Sequence, residues 1–436
     1  MGPHYLKLWT ASVISNLGDG IGTIAYPWLA SAITRNPLLI ATVAVAQRLP
    51  WLVFSLPAGV ITDRVDRRRL MVSMDVVRAV LTLFVAFVVL ANNNLPSPDQ
   101  VAGGAVTTDT GLYLILVLAT LLLGFAEVLR DNAAQTILPA IVRPESLETA
   151  NGRMWGAEMV ANSFAGPPLG SLLIGIMFAL PFFIDAGTFA VAAALVFMLT
   201  GDFRSRGAST GGRAGWKAEI AEGFRWLWRH PLLRPMAIIL GYLNGLGAIA
   251  FATLVLFAQE VLELDAFLFA IVGTGAAVGG VVGSLTAPAI SRRLGSGTSL
   301  YLTMIGSVVM SLVIGLTSSW VVTWVMFCLG SLLGTVWNVI TVSLRQTIIP
   351  DRLLGRVNSV YRFFGLGMMP IGLAVGGFLV WIGEQLGDRE FALRLPWLVN
   401  AGAHLLLFFY AAPRLTTAKV EAARAEGIAA KAAEEE

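Results

Sequence analysis

Apolar stretches of about 20 residues recur along the whole of this chain, separated by short polar turns, and each is long enough to cross a bilayer as a helix. In hydrocarbon every backbone N–H and C=O must be satisfied within the segment, so stretches of this kind fold as helices. Roughly twelve can be laid along the sequence, with cores at 8–33, 38–62, 70–91, 111–137, 149–173, 177–200, 234–259, 266–290, 298–317, 320–345, 356–382 and 393–412. With 56% hydrophobic and 13% charged residues, the composition excludes a soluble globular domain. The expected class is an all-α polytopic membrane protein. The first apolar segment is long, contains Asp19 and lacks a small-residue cleavage site, so it is expected to stay as the first helix.

Short loops set the orientation, because Lys and Arg are retained on the cytoplasmic side. Arg64, Arg67, Arg68 and Arg69 follow span two, Arg143 follows span four, Arg292 and Arg293 follow span eight, and Arg352 and Arg356 follow span ten. Stretches 92–110 and 260–265 contain no Lys or Arg. Both termini are therefore expected in the cytoplasm. The basic pI of about 9.2 follows from this topology; the cations are spread over loops rather than gathered on one soluble face, which argues against a nucleic-acid partner. The lone Cys328 excludes an intramolecular disulfide framework. His4, His230, His404 and Cys328 form no metal-ligand pattern, and no nucleophile, base and orienting group form an enzymatic set. Gly18-Asp19-Gly20-Ile21-Gly22 and Gly273-Thr274-Gly275 look superficially like nucleotide loops, but neither follows a plausible strand.

The longest polar interruption, Gly201 to Arg234, divides the spans into two groups of six. The expected organisation is a first lobe over 1–200, a linker over 201–233, a second lobe over 234–414 and a cytoplasmic tail over 415–436. In the linker, Ile220, Phe224, Leu227 and Trp228 fall at helical spacing among charged residues, as in an amphipathic helix resting on membrane lipid. The tail is rich in Ala, Glu, Lys and Arg and reads as solvated or partly helical. Gln135-Thr136-Ile137-Leu138-Pro139 recurs as Gln346-Thr347-Ile348-Ile349-Pro350 at the equivalent place in the second half. Parallel six-helix repeats are one of the transporter plans. In that register Glu127, Arg130 and Asp131 correspond to Asn338, Thr341 and Val342, so the first lobe carries ionisable chemistry that the second lacks.

Ionisable groups in lipid are costly and mark functional positions. Asp19, Arg48, Glu127, Arg130, Asp131 and Glu158 all lie within expected spans. Asp19 and Arg48 fall roughly 17 Å and 15 Å along their helices, near mid-membrane, where they are placed to pair. Arg48 reads first as a structural ion pair; for Asp19, pairing and transport are equal readings. Glu127, Arg130 and Asp131 share one face of span four, and span five returns Glu158 and Asn162 at similar depth. Fully ionised, the six groups carry two net negative charges, which a proton or a bound cation would relieve. Asp19 and Glu127 are the first candidates for that exchange and Glu158 the third, with a purely structural network as the competing reading. Asn244, Trp337, Asn338 and Tyr361 are candidate cavity residues of the second lobe, core packing being the competing reading of each aromatic.

Between spans two and three the chain reads Gly59-Val60-Ile61-Thr62-Asp63-Arg64-Val65-Asp66-Arg67-Arg68-Arg69. This resembles the loop signature of the major facilitator superfamily, with Asp66 where glycine is common. The resemblance implies a conformational gate built from Gly59, Asp63, Arg64, Arg67 and Arg68, to which Asp75, Arg78 and the more distant Arg362 are also assigned. Gly166-Pro167-Pro168-Leu169-Gly170 is similar to the antiporter motif of superfamily exporters, with Ser171 in place of a second glycine; its prolines are expected to bend span five and its glycines to allow close helix approach. Gly283 to Gly295, with Arg292 and Arg293 and no acidic residue at the matching place, is a degenerate second copy of the loop signature. Runs 47–69 and 126–170 are similar to the bacterial subgroup of enterobactin exporters and macrolide efflux proteins. The resemblance implies a monomeric secondary transporter of two six-helix lobes, exporting a small amphipathic molecule in exchange for protons, with the proton as coupling ion and no other cofactor. A lipid or lysolipid flippase, a cation-coupled importer and a non-transporting sensor are the alternatives on the same scaffold.

Overall fold

The computed structural model describes residues 2–92, 95–96, 101, 106, 108–143, 146–201, 203 and 215–435. Residues 202 and 204–214 of the expected linker, and most of the loop after span three, fall outside these residues. Helices carry the described chain: α1 (Pro3–Ile33), α2 (Pro37–Arg64), α3 (Arg67–Ala91), α4 (Thr110–Ile141), α5 (Leu147–Glu158), α6 (Gly166–Ile176), α7 (Leu180–Phe197), α8 (Gly215–Arg229), α9 (Leu233–Phe251), α10 (Leu254–Glu260), α11 (Ala266–Leu294), α12 (Ser296–Leu316), α13 (Trp320–Ile348), α14 (Asp351–Leu386), α15 (Arg389–Ala411) and α16 (Thr417–Glu435). Their starts are encoded locally. Asn36 and Asp109 accept the free N–H groups of α2 and α4, at 2.9 Å from Leu38 and 3.0 Å from Leu112, and Pro37 opens α2 without losing a bond.

Among the described residues, 11 helical runs are long and apolar enough to span a membrane. The remaining expected span, α1, has the length, at 31 residues, but its serines, glycines, Asn16 and Asp19 make it more polar than the rest. Two spans are interrupted. Span five runs through α5, a π-helical stretch over Met159–Ala165 and α6; Pro167 and Pro168, which have no N–H to donate, lie just after the widened turn. Span seven breaks between α9 and α10 at Ala252 and Thr253.

The chain forms two compact units, one of residues 1–209 with 253–274, the other of 210–252 with 275–436. Segment 253–274 thus belongs to the first unit, a division the polar linker does not reveal. Its attachment is specific: Gln259 donates to Ser31 Oγ at 2.9 Å, Arg35 donates to Gln259 and lies 3.6 Å from Glu260, and Trp28 packs on Phe269. In the first unit α3 packs on α7 and α4, α1 on α7 and α6, and α2 on α4. In the second, α14 packs on α9, and α12 on α15 and α13.

Two polar segments are built into the second unit. Helix α8 buries Leu227 completely and exposes Phe224 and Trp228, whose rings stack at 5.2 Å; Glu222 pairs with Arg356 of α14. Of the expected lipid-facing stripe, Leu227 therefore faces protein. The tail is a docked helix rather than a solvated end. In α16 Val420 is fully buried, Gly427 lies against Thr347 and Ile348 of α13, and Ser296 donates to Glu421 at 2.9 Å.

Candidate functional site

The site is assembled around a stretch of α1, Gly18 to Gly22, in which every second residue lacks a side chain. At Gly20 an added Cβ would stand 2.6 Å from the Asn162 carbonyl and 2.9 Å from the Gly166 Cα, and at Gly170 one would stand 2.6 Å from the Ile21 carbonyl. Span five therefore presses directly on α1, through the glycines of the Gly-Pro motif. At Gly18 a Cβ would collide with the Asp185 carboxylate and the Thr188 hydroxyl, and Gly22 faces the other Asp185 oxygen. The run Gly18 to Gly22 is a helix-packing trough that brings α6 and α7 against the backbone on either side of Asp19.

Across this trough runs a line of charges of alternating sign. Arg78 of α3 donates to Asp19, donates to Ser15 Oγ at 3.3 Å and lies 3.7 Å from Asp75. Arg130 of α4 lies 3.5 Å from Asp75 and 3.3 Å from Asp131. Asp75 and the two arginines are buried, whereas Asp19 and Asp131 keep side-chain exposures of 28% and 34%. Removing one member of such a network leaves an uncompensated buried charge, so the five residues act as a unit. The Arg78 guanidinium is also stacked 3.8 Å over the Phe189 ring of α7, which fixes its direction.

Beside the line lies a cavity whose wall includes Asp19, Tyr26, Gln47, Arg78, Thr120, Glu127, Asp185 and Phe189. It brings together Asp19 and Glu127, as their sequence positions suggest, and adds partners that the residue pattern alone does not single out. The expected Asp19–Arg48 pair does not form. Arg48 is exposed, its neighbour Gln47 takes the cavity-facing position, and Arg78 holds Asp19 instead. Glu158 is exposed and outside the charge line, while Asn162 contributes its backbone to the trough. Asp75 and Arg78, grouped with the gate on sequence, are central members of the network. Asp185 is absent from the sequence candidates, although a lone carboxylate within span six is the signal that would have found it.

The loop signature binds helix ends. Asp66 caps α3, accepting from the Arg69 N–H at 2.8 Å, and also accepts from the Phe203 N–H. This is a use for the acidic residue that stands where glycine is common. Arg67 donates to the Thr136 carbonyl at 2.9 Å and Arg68 to the Leu199 carbonyl at 2.6 Å, tying α3 to the ends of α4 and α7. Arg64 is exposed. The side chains of Asp63 and Arg362, and the surroundings of Gly59, lie outside the described residues.

In the second unit two of the candidates join helices. Asn244 donates to the Gly365 carbonyl at 2.9 Å and Tyr361 to the Leu233 carbonyl at 2.6 Å, both joining α9 to α14. Trp337 is buried in the same apolar core as Tyr361, and Asn338 is exposed. Thr341, the counterpart of Arg130, bonds back to the Trp337 carbonyl at 2.9 Å. The ionisable chemistry of the first unit has no equivalent at these positions.

The sequence pattern of the Major Facilitator Superfamily matches residues 8–372. The chain belongs to the major facilitator superfamily. It is therefore a transporter rather than an enzyme. It is similar to the multidrug efflux pump Tap of Mycolicibacterium fortuitum, with 26% identity over 91% of this chain and 94% of that protein. It is also similar to the enterobactin exporter EntS of Shigella boydii serotype 4, with 25% identity over 86% of this chain and 85% of the other. In fold it matches the nucleoside transporter NupG with a TM-score of 0.71, covering 94% of this chain and 98% of that one at 12% identity. These matches bear out the superfamily, the exporter subgroup and the all-α polytopic fold read from the sequence.

Proposed function

We propose that this superfamily member is a secondary transporter that exports small amphipathic molecules, drugs or siderophores among them, in exchange for protons. The observation that carries the reading is the cavity of the first unit, where Asp19 and Glu127 share one wall with Arg78. Such a set changes its charge when one proton enters, and binding energy tied to that charge couples two ligands. The two similar exporters, Tap and EntS, support outward movement of a small molecule. The transporter works as a monomer in a bacterial inner membrane, with both termini in the cytoplasm. Substrate enters from the cytoplasm with a carboxylate ionised, and protonation after the outward swing weakens its hold.

The test is reconstitution into liposomes that contain a pH dye. A proton gradient is imposed, and ethidium, a siderophore and a lysolipid are offered in turn. Compound-dependent proton movement, reduced at least tenfold in Asp19→Asn or Glu127→Gln, is expected. Substrate movement with no proton flux would replace exchange with uniport or lipid flipping, and full flux in both variants would remove these two carboxylates from the coupling step.

A further inference from the structure

Among the described residues the line of charges leaves two cavity carboxylates without an ion-paired cation, Glu127 and Asp185, and of these Asp185 is the buried one. Asp19 has Arg78, Asp75 lies between Arg78 and Arg130, and Asp131 has Arg130. Asp185 of α7 is 3% exposed and, among the described residues, has no Lys, Arg or His within ion-pair distance. Its described hydrogen bond is a long one, 3.4 Å from the Thr188 hydroxyl, which also donates to the Asp185 backbone carbonyl. An ionised carboxylate this deeply buried, with no counter-ion in contact, is costly.

The surroundings say what would satisfy it. Asp185 opens on the same cavity as Asp19, Glu127 and Arg78. That cavity has room for a few water molecules and not for a drug-sized compound. Its wall also carries the Tyr26 hydroxyl, buried and without a hydrogen-bond partner among the described residues. A buried hydroxyl beside a buried carboxyl, in a space of this size, fits water and a proton.

Groups facing Asp185 come from every neighbouring helix. From α1 there are Asp19 and Tyr26, from α3 Arg78 with Asp75 behind it, and from α4 Glu127 across the cavity; α6 presents no titratable group. Arg78 is the cation within this set, and it is stacked over Phe189, one helical turn beyond Asp185 on α7. The guanidinium thus lines the same cavity as the two aspartates while bonded to one of them.

We propose that Asp185 is a proton-binding carboxyl of the transporter, paired with Asp19 across the glycine trough and sharing Arg78 with it. While Asp19 is ionised and holds Arg78, Asp185 keeps the proton. When Asp19 takes a proton and releases Arg78, the guanidinium turns to Asp185, which gives its proton to the cavity water beside Tyr26. One proton is bound and one released, so the charge of the pair is conserved. The inference rests on the proton-exchange reading only for its consequence in transport; the protonation itself is separately measurable.

The test is infrared spectroscopy of the full chain in lipid with ¹³C-labelled aspartate. The expected result is a protonated-carboxyl carbonyl band at neutral pH that is absent in Asp185→Asn and is also lost in Asp19→Asn, where the amide stands in for the protonated Asp19 and frees Arg78 for Asp185. A band that persists in Asp19→Asn would count against the sharing of Arg78. A spectrum in which Asp185→Asn leaves every such band in place would overturn the proposal. Asn mimics the protonated acid, so the variant is expected to fold. Should it not, Asp185→Glu decides, because the band must move to the unlabelled glutamic acid position, and a band that stays put counts against Asp185. In proteoliposomes, proton-driven ethidium movement is expected to fall more than tenfold in Asp185→Asn. Lack of such movement in the parent protein would defeat the exchange reading, and the infrared band would still decide whether Asp185 holds a proton.

Discussion

Arg78 is the residue on which the site turns, because it touches Asp19, Ser15, Asp75 and the Phe189 ring at once. Its loss strands the fully buried Asp75 and the partly exposed Asp19 beside a low-dielectric wall. Arg78→Ala is therefore expected to cost on the order of 3 kcal/mol, read as a lowered unfolding midpoint of the purified protein in detergent. Arg78→Lys should restore only part of it, since a point charge cannot fork between Asp19 and Ser15 as a guanidinium does. An Arg78→Ala protein as stable as the parent would mean that protons, not Arg78, neutralise the aspartates. At this scale the sequence was half legible. The carboxylates in apolar segments announce themselves through the cost of charge in lipid, and Asp19 and Glu127 do share a wall. Which cation answers each carboxylate depends on helix rotation. The rotational setting of α2, on which adjacent residues point about 100° apart, decides whether Gln47 or Arg48 faces inward, and no spacing within α2 records it.

At the scale of the helix, the contacts that matter are made where side chains are missing. Gly166 lies against Gly20, where an added Cβ would stand 2.5 Å from the facing Cα, whereas Gly175, nine residues further along α6, has open space around it. Gly166→Val should destabilise by about 1–3 kcal/mol and lower transport, because α1 and α6 must separate. Gly175→Ala should be neutral or slightly stabilising, since it removes backbone freedom from a helix at no steric cost. Equal effects of the two, in thermal unfolding and transport, would refute the packing role of the trough. A second helix-scale prediction concerns His230, whose Nδ1 accepts the Leu232 and Leu233 N–H groups at 3.2 and 3.1 Å at the start of α9. An imidazolium cannot accept these bonds. Burial pushes the His230 ring below its ordinary value of 6.5, opposed by the nearby Glu426 carboxylate. The cap is thus fully present above about pH 6.5 and is lost as pH falls through the lowered value, because the unfolded chain then binds the proton more readily. His230→Asn, which keeps an acceptor but does not titrate, should flatten the fall in unfolding midpoint between about pH 6.5 and pH 5. The Gly-Pro spacing of span five was readable as close approach and a bend. The cap of α9 was not, because a lone histidine gives no sign of which atoms it will face.

For the whole molecule, the repeated Gln-Thr-Ile-x-Pro runs end α4 and α13, so the two halves correspond in structure as they do in sequence. The correspondence stops at chemistry, since Arg130 is ion-paired and its counterpart Thr341 bonds only to its own helix. The two compact units also divide differently from the polar linker, because Gln259 and Arg35, more than 200 residues apart, meet in the first unit. Orientation is the remaining whole-molecule property, and it rests on the basic loops. The arginines that lie on the opposite connections are held individually: Arg35 by Gln259 and Glu260, Arg389 by Glu384, and Arg394 by Glu390 and the Gly315 and Thr317 carbonyls. The densest clusters of loop arginines are Arg64 to Arg69 and the pair Arg292 and Arg293, which the positive-inside rule predicts to be cytoplasmic. A fluorescent protein fused after Glu436 should fluoresce, and alkaline phosphatase fused there should be inactive, while phosphatase inserted near residue 100 should be active. The reverse pattern would invert more than a drawing. The Arg67 and Arg68 ties to Thr136 and Leu199 would then lie at the outer surface, and the proposed exchange would have to run as import. Topology is consequently the cheapest experiment that bears on the direction of transport, and it needs no substrate.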